Sequence, residues 1–290
     1  MFVEETLTLI FLGLYLMANL FGGKFNQPIF KIIAHWFRWL AFAFGFSYIL
    51  VLFEWSSRPL WLHLTTGMAV WFVAETIFYR ISIQLLNLGE TPLFPNYKKD
   101  NNDELWPINK EAITIKAVLS KTGFKKTGVI GAHFFNDLII RQATYLNKEK
   151  TIRINIIFIP NAQNEVKCFF SILSIEDSNN YLITDNQTMP FGGYYPANWS
   201  VGRHPLNRSL DKLLKVHQDK MGKGHTKWNP LEEDPLDSIN ICQRSLERKN
   251  QEMGFLFYHG GERKEKISPE GCVRICMEMW LLSYFGKTFS

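Results

Sequence analysis

Apolar residues concentrate in three long N-terminal segments, residues 6–21, residues 35–53 and a third segment that begins at residue 58. Each gives about 16–21 residues with few charges, close to the roughly 20 that a helix needs to cross hydrocarbon. None has the charged stripe that is typical of a helix lying on a membrane surface. The pattern therefore predicts a three-helix transmembrane anchor over residues 1–88.

The hydrophobic pattern changes after the third segment. Residues 89–108 hold three prolines, adjacent asparagines and a run of charges, which predicts a linker. Beyond it, short runs rich in β-branched and aromatic residues alternate with turn clusters, and this pattern predicts strands. The predicted strands are residues 129–135, 138–146, 151–159, 166–175 and 181–184. Because parallel strands need longer crossovers, these short connections favour an antiparallel meander of about five strands.

Helical periodicity predicts about four helices in the same part of the chain. One begins after Asn109 as its N-cap and ends near Gly123, and three follow over residues 207–222, 234–254 and 268–287. The last is apolar nearly all round, which favours burial against the sheet, with a helix lying in the membrane as the alternative. The predicted fold class is a membrane-anchored α+β protein, in which residues 109–290 form the cytoplasmic domain.

The charge distribution sets an expected orientation in the membrane. Residues 1–97 hold five basic and five acidic side chains, so the net charge of +5 lies in the remainder of the chain. Lys24, Lys31 and Arg38 flank the first loop, whereas the N-terminus carries only acids. Since basic loops stay on the cytoplasmic side, we expect a multi-pass protein with its N-terminus outside and its C-terminal domain in the cytoplasm.

Three polar residues fall inside the predicted spans. Glu75 and Arg38 each lie about 7 Å inside the same membrane face at 1.5 Å per residue, and Asn19 falls at a matching depth. Unpaired charges at that depth are costly, so an Arg38–Glu75 pair with Asn19 nearby is one interpretation. Snorkelling of both charges to the headgroups is another. An ion or proton path would need more polar groups in the outer halves of the helices.

The sequence contains no recognisable catalytic signature, which favours a non-enzymatic role. Glycine-rich phosphate loops, zinc-protease motifs and nucleophile-elbow motifs are all missing from it. Its four cysteines form no paired CxxC spacing, and we expect them to be buried free thiols. No catalytic residue, metal or cofactor is predicted.

The most distinctive segment is FGGYYPANWSVGRHP, residues 191–205, which joins two glycines to a cluster of aromatic residues. Three interpretations remain open: packing over the sheet edge, a ligand or partner site, and contact with lipid headgroups. For a ligand, the aromatic residues offer apolar area with polar tips, and the basic residues offer charge for an anion. The candidate binding residues are Phe191, Gly192, Gly193, Tyr194, Tyr195, Trp199, Arg203, His204 and Arg208.

Basic residues of the following helix, Lys212, Lys215 and Lys220, are candidates for contact with anionic headgroups. The net charge is too mild to indicate nucleic acid as a partner. We expect instead the lipid bilayer, a protein partner or self-association, and a small anionic ligand. The favoured function is a membrane-tethered accessory, sensor or assembly subunit. The alternatives are a ligand-triggered effector that oligomerises through its transmembrane helices, and an enzyme acting on a lipid headgroup or nucleotide.

Overall fold

The computed structural model divides the chain into two compact units. The first comprises Met1–Leu86 and Cys272–Thr288, and the second comprises Asn87–Gly271 with Phe289–Ser290. The structure describes residues 2–25, 27–89, 93–94, 96–100, 106, 110–134, 138–160, 166–222, 227–258 and 265–289. The predicted N-cap Asn109 and most of the predicted linker lie outside these ranges.

Three helices of the first unit are long and apolar enough to cross a membrane, as the sequence predicted. They are α1 (Phe2–Phe25), α2 (Pro28–Leu52) and α3 (Leu60–Leu88). Pro28 occupies the first turn of α2, where a missing backbone N–H costs nothing. A Cβ at Gly67 would lie 3.1 Å from the Ala43 backbone, so small residues bring α2 and α3 close together.

The second unit is built on a seven-stranded sheet whose spatial order follows the sequence. Its strands are β1 (Lys98–Lys99), β2 (Lys125–Phe134), β3 (Leu138–Leu146), β4 (Arg153–Pro160), β5 (Val166–Ile175), β6 (Tyr181–Asp185) and β7 (Trp199–Arg203). Every neighbouring pair is antiparallel except β6 and β7, which are parallel. The predicted α+β class and the antiparallel meander of five strands are therefore confirmed.

Two edge strands were not predicted. Strand β1 has only two residues and comes from the predicted linker, so it leaves no alternating pattern to detect. Strand β7 lies inside residues 191–205, which we call the aromatic segment, where the sequence predicted a loop. Residues 186–198 provide the dozen or so residues that a parallel return requires.

Helices cover both faces of this sheet. On one face, α4 (Lys110–Lys121) and α5 (Leu210–Gly222) pack against the alternate residues of β4 and β5. Ile154 and Ile156 at the centre of that face are fully buried, as the alternation predicted. On the other face, Ile239 of α6 (Leu236–Glu252) packs with Tyr97 and Ile130. A hairpin of β8 (Leu256–Tyr258) and β9 (Glu265–Ile267) follows α6.

The last helix, α7 (Pro269–Phe285), is not the helix that covers the sheet. From Cys272 onward its residues belong to the first unit with α1–α3. Trp280 donates a hydrogen bond to Thr76 of α3, and the Tyr284 carbonyl accepts one from Trp36 of α2. The expectation of burial against the sheet was wrong because an apolar helix fits a membrane unit and a sheet equally well.

The second unit contains a fully buried histidine, His217 of α5. Its Nε2 lies 3.0 Å from the Ser174 hydroxyl, and its Nδ1 lies 2.9 Å from the Thr184 hydroxyl. Burial, with a smaller contribution from the charge of Lys220, lowers the pKa of His217 to about 3. His217 is therefore a neutral, hydrogen-bonded core residue at physiological pH.

Acid is expected to destabilise the protein through His217. Its pKa is lowered in the folded chain and returns to 6.5 in the unfolded chain, so the unfolded state binds the proton first. The contribution of His217 to the free energy of unfolding is complete above pH 6.5. It falls by about 1.4 kcal/mol per pH unit as the pH drops toward 3. Thermal unfolding in detergent between pH 7 and pH 5 measures the effect. His217→Gln should flatten this dependence, and an unchanged slope in the variant would contradict the assignment.

Candidate functional site

The aromatic segment is held against α6 by one fully buried side chain, that of Asn250. The Tyr194 backbone N–H donates to Asn250 Oδ1 at 2.8 Å, and Asn250 Nδ2 donates to the Tyr194 carbonyl at 2.9 Å. A Cβ at position 193 would collide with the same amide oxygen and with the Phe191 ring. Gly193 therefore serves the close approach of Asn250, and Gly192 supplies a positive φ of 67° in the same turn.

The aromatic side chains at the start of the segment pack inside the second unit. The Phe191 ring lies 5.1 Å from Tyr195, 6.2 Å from Phe255 and 6.5 Å from Phe94, measured between centroids. Such ring pairs are typical of a packed aromatic core. The structure therefore favours the packing interpretation for residues 191–195.

Arg203 at the end of β7 is an internal structural residue. Its side chain is 2% exposed, and its Nε lies 3.6 Å from Asp185 Oδ1 on the neighbouring strand β6. Its Nη2 donates to the backbone carbonyls of Met189 at 2.6 Å and Gln187 at 3.3 Å. The guanidinium thus holds the aromatic segment to the sheet and does not face a ligand.

The two basic residues that follow Arg203 are also directed inward. The guanidinium of Arg208 stacks over the Phe169 ring at 5.2 Å. His204 Nε2 is buried without a hydrogen-bond partner, and burial followed by the charge of Lys220 lowers the pKa of this imidazole. His204 is therefore neutral at pH 7 and adds no charge for an anion.

Trp199 of the aromatic segment lines a cavity. This cavity, the aromatic pocket, has a volume of about 430 Å³ at the β6–β7 edge of the sheet. Its lining residues are Glu176, Asn180, Tyr181, Leu182, Ala197, Asn198, Trp199, Ser200, Lys220 and Trp228. The parallel register places Trp199 opposite Tyr181, and their rings lie 5.6 Å apart. Trp228 reaches the pocket through a backbone bridge to Glu176.

Lys220 gives the aromatic pocket an available positive charge. The ammonium lies over Gly202 of β7, where any Cβ would displace it. Among the residues described by the structure, no acceptor forms a hydrogen bond or ion pair with this half-buried ammonium. A lysine in such a position retains its capacity to bind an anionic group.

A second cation lies close to the aromatic pocket. Arg153 of β4 is 1% exposed and interacts electrostatically with Tyr181 of the pocket lining. Its guanidinium donates to the Ser238 hydroxyl and to the Glu232 carbonyl, and the Glu232 carboxylate interacts with it electrostatically. Burial lowers the pKa of Arg153, yet an arginine keeps its charge in proteins. Through its bond to Ser238, Arg153 belongs to the α6 face of the sheet, opposite the face on which Lys220 of α5 lies.

Glu176 brings the opposite charge to the pocket lining. Its Oε2 accepts hydrogen bonds from Ser178 at 3.3 Å and from Asn180 at 3.2 Å. The aromatic pocket thus combines flat apolar rings with one cation and one carboxylate. That combination suits a ligand that has a ring, an anionic group and a hydrogen-bond donor.

A larger cavity of about 530 Å³, the lysine cavity, lies between β2 and the start of α6. Its basic lining residues are Lys99, Lys125, Lys126, Lys148 and Lys150. Two are neutralised, since Lys99 pairs with Asp234 at 2.7 Å and Lys150 with Glu233 at 2.6 Å. Lys125 pairs with Leu146, just before the turn that carries Lys148 and Lys150, so the register of β2 and β3 brings these lysines together.

The three lysines predicted to touch headgroups have different surroundings. Lys212 and Lys215 are exposed on α5, and Lys215 pairs with Asp211 at 3.3 Å. Lys220, one turn further along, enters the aromatic pocket. Sequence reasoning found Trp199 and Lys220 separately but missed Tyr181, Trp228 and Arg153.

In the first unit, the predicted Arg38–Glu75 pair is formed at 2.5 Å. Glu75 Oε1 also accepts from the Tyr79 hydroxyl at 2.9 Å. Its Oε2 accepts from Trp71 Nε1 at 2.8 Å and from the Tyr284 hydroxyl at 2.5 Å. Asn19 is exposed on α1 and takes no part in this network. The network favours a structural ion pair over snorkelling of both charges.

Comparison with protein-family models, curated proteins and solved structures finds no match to this chain. In the described part of the chain, no three His, Cys, Asp or Glu side chains are grouped so that they could hold a metal ion. The four cysteines are free thiols, and Cys168, Cys272 and Cys276 are buried.

Gly193→Ala is expected to destabilise the protein by about 1–3 kcal/mol, the usual cost of overpacking a buried position. The added methyl group would displace the Asn250 amide that holds the aromatic segment. The matched control is Gly222→Ala, because a Cβ at position 222 meets nothing within 4 Å. Thermal unfolding of both variants measures the difference, and equal melting temperatures would exclude this role for Gly193.

Glu75→Gln is expected to cost about 3 kcal/mol, because it leaves the Arg38 charge without its counter-charge inside the first unit. The glutamine NH2 group, itself a donor, would also lie against Trp71 Nε1 or the Tyr79 hydroxyl, each of which now donates to a carboxylate oxygen. Thermal unfolding in detergent measures the loss. Glu54→Gln, the same change at an exposed residue, should leave the melting temperature unchanged. Equal behaviour of the two variants would show that the network does not stabilise the protein.

Proposed function

We propose that this protein is a membrane-tethered, non-enzymatic sensor whose second unit binds a small anionic ligand in the aromatic pocket. The observation that carries the proposal is the ammonium of Lys220, which has no acceptor in the described chain and lines a cavity that Tyr181, Trp199 and Trp228 also line. A half-buried cation without a partner is costly unless a bound anion compensates for it.

The charges around the pocket narrow the class of ligand. Lys220 favours an anionic group at one end of the cavity. Glu176 disfavours a ligand that is negative throughout and favours one with a hydrogen-bond donor elsewhere. The ligand therefore carries its negative charge and its donor groups on separate parts.

The aromatic side chains supply the remaining recognition. Tyr181, Trp199 and Trp228 line the cavity, and stacking of a base on an aromatic ring is worth about 1–3 kcal/mol. A cavity of about 430 Å³ is in the range of small-molecule sites. A nucleoside monophosphate combines the ring, the amino or imino donors and the anionic group, so we propose this class of ligand.

The proposed location of the pocket follows from the charges flanking the spans. Lys24, Lys31 and Arg38 favour a cytoplasmic first loop, and the second unit then lies in the cytoplasm after three crossings. Cytoplasmic nucleotides would reach the aromatic pocket in this arrangement. Ligand-driven oligomerisation through α1–α3 would make the protein an effector.

The test titrates the full-length protein in detergent with AMP, GMP, CMP and UMP by calorimetry. At least one should bind, and the same nucleoside without its phosphate should bind more weakly. Lys220→Met should weaken binding by roughly 10-fold or more, since it removes a charge-assisted contact and keeps the length of the side chain. The matched control is Lys212→Met on the exposed surface of the same helix.

The lysine cavity supplies the competing site in this experiment. Lys125→Met should leave binding unchanged if the nucleotide occupies the aromatic pocket. Weakening by Lys125→Met with no effect of Lys220→Met would place the ligand in the lysine cavity and overturn the assignment. Failure of all four nucleotides to bind at millimolar concentration would reject the ligand class. Native mass spectrometry with and without the bound nucleotide separates a sensor from an oligomerising effector.

A further inference from the structure

The second half of α7 is packed at hydrocarbon depth in the first unit. A span of about 20 residues placed anywhere in the 29 residues of α3 includes residues 69–79, and placed anywhere in the 25 residues of α2 it includes residues 33–47. Tyr284 of α7 contacts Trp36 and Trp71, which fall within these two ranges. The depth of this contact therefore does not depend on where the membrane boundaries lie.

Several ring contacts place α7 at the same depth. The Trp280 ring lies 4.8 Å from Phe72 and 5.7 Å from Trp39. The Tyr284 ring lies 5.1 Å from Trp39. Each partner again belongs to the part of α2 or α3 that every placement of the bilayer covers.

The same face of α7 continues beyond these contacts without cover. Val273, Met277, Trp280 and Tyr284 follow the spacing i, i+4, i+7, i+11, which places them on one face of a helix. The two later residues are packed on α2 and α3, whereas Val273 is 47% exposed and Met277 is 53% exposed. Met277 precedes Trp280 by three residues, which is about 4.5 Å along the helix axis.

We propose that the uncovered part of this face, Val273 and Met277, is seated on the acyl chains of the bilayer, which makes α7 a fourth membrane-embedded element. Acyl chains are the occupant because the face is continuous with a contact at hydrocarbon depth. At 17 residues, or about 25 Å, α7 is shorter than the roughly 30 Å of hydrocarbon. It therefore enters the membrane region without spanning it.

Photo-crosslinking in liposomes tests the proposal on the full-length protein. Met277 is replaced by p-benzoylphenylalanine, and the protein is reconstituted in phosphatidylcholine and phosphatidylglycerol and irradiated. Ile77, an exposed residue of α3, is the positive control, and Ile113, an exposed residue of α4, is the negative control. Lipid adducts, measured by mass spectrometry, should form at position 277 at a level close to that at position 77 and at least fivefold above that at position 113.

Other outcomes identify a different occupant of this face. A crosslinked dimer at position 277 would make it an interface between copies and overturn the proposal. Crosslinks within the chain, or lipid adducts no more frequent than at position 113, would overturn it as well. The same replacement at Val273 provides the measurement if the Met277 variant fails to fold.

Discussion

The carboxylate of Glu75 organises the first unit. It accepts hydrogen bonds from Arg38 on α2, from Trp71 and Tyr79 on α3, and from Tyr284 on α7. A carboxylate at this depth would be expensive without such partners, and the bonds from Arg38 and Tyr284 hold α2 and α7 to α3. The network also explains why α7 belongs to the first unit, since its tyrosine completes the coordination of Oε2.

The second unit is inserted in the chain between α3 and α7. Its buried polar groups divide into two kinds. Asn250, Arg203 and His217 have their hydrogen bonds satisfied by neighbouring groups, and they hold the aromatic segment and the sheet in place. Lys220 instead carries a positive charge with no acceptor among the described residues. Uncompensated charge beside an aromatic cavity distinguishes the proposed ligand site from the structural polar groups of the same unit.

The adjacent glycines Gly192 and Gly193 of the aromatic segment illustrate how similar residues differ in role. Gly193 allows the Asn250 amide to approach the backbone, and Gly192 adopts a positive φ in the turn. The space beside Gly193 is therefore already filled. The glycine associated with the pocket is Gly202, which the sequence did not distinguish and over which Lys220 lies.

The sequence by itself determined the three spans and the meander from β2 to β6, and it offered the Arg38–Glu75 pair as one of two interpretations. Hydrophobic length, period-two alternation and depth along a helix are local properties, and local properties are readable in one chain. Tertiary structure alone decided the parallel return of β7, the place of α7 and the meeting of Tyr181, Trp199, Trp228 and Lys220. All three features depend on which distant segments of the chain pack together. An aromatic or apolar residue is compatible with a core, a pocket or a membrane, and only its tertiary neighbours decide among them.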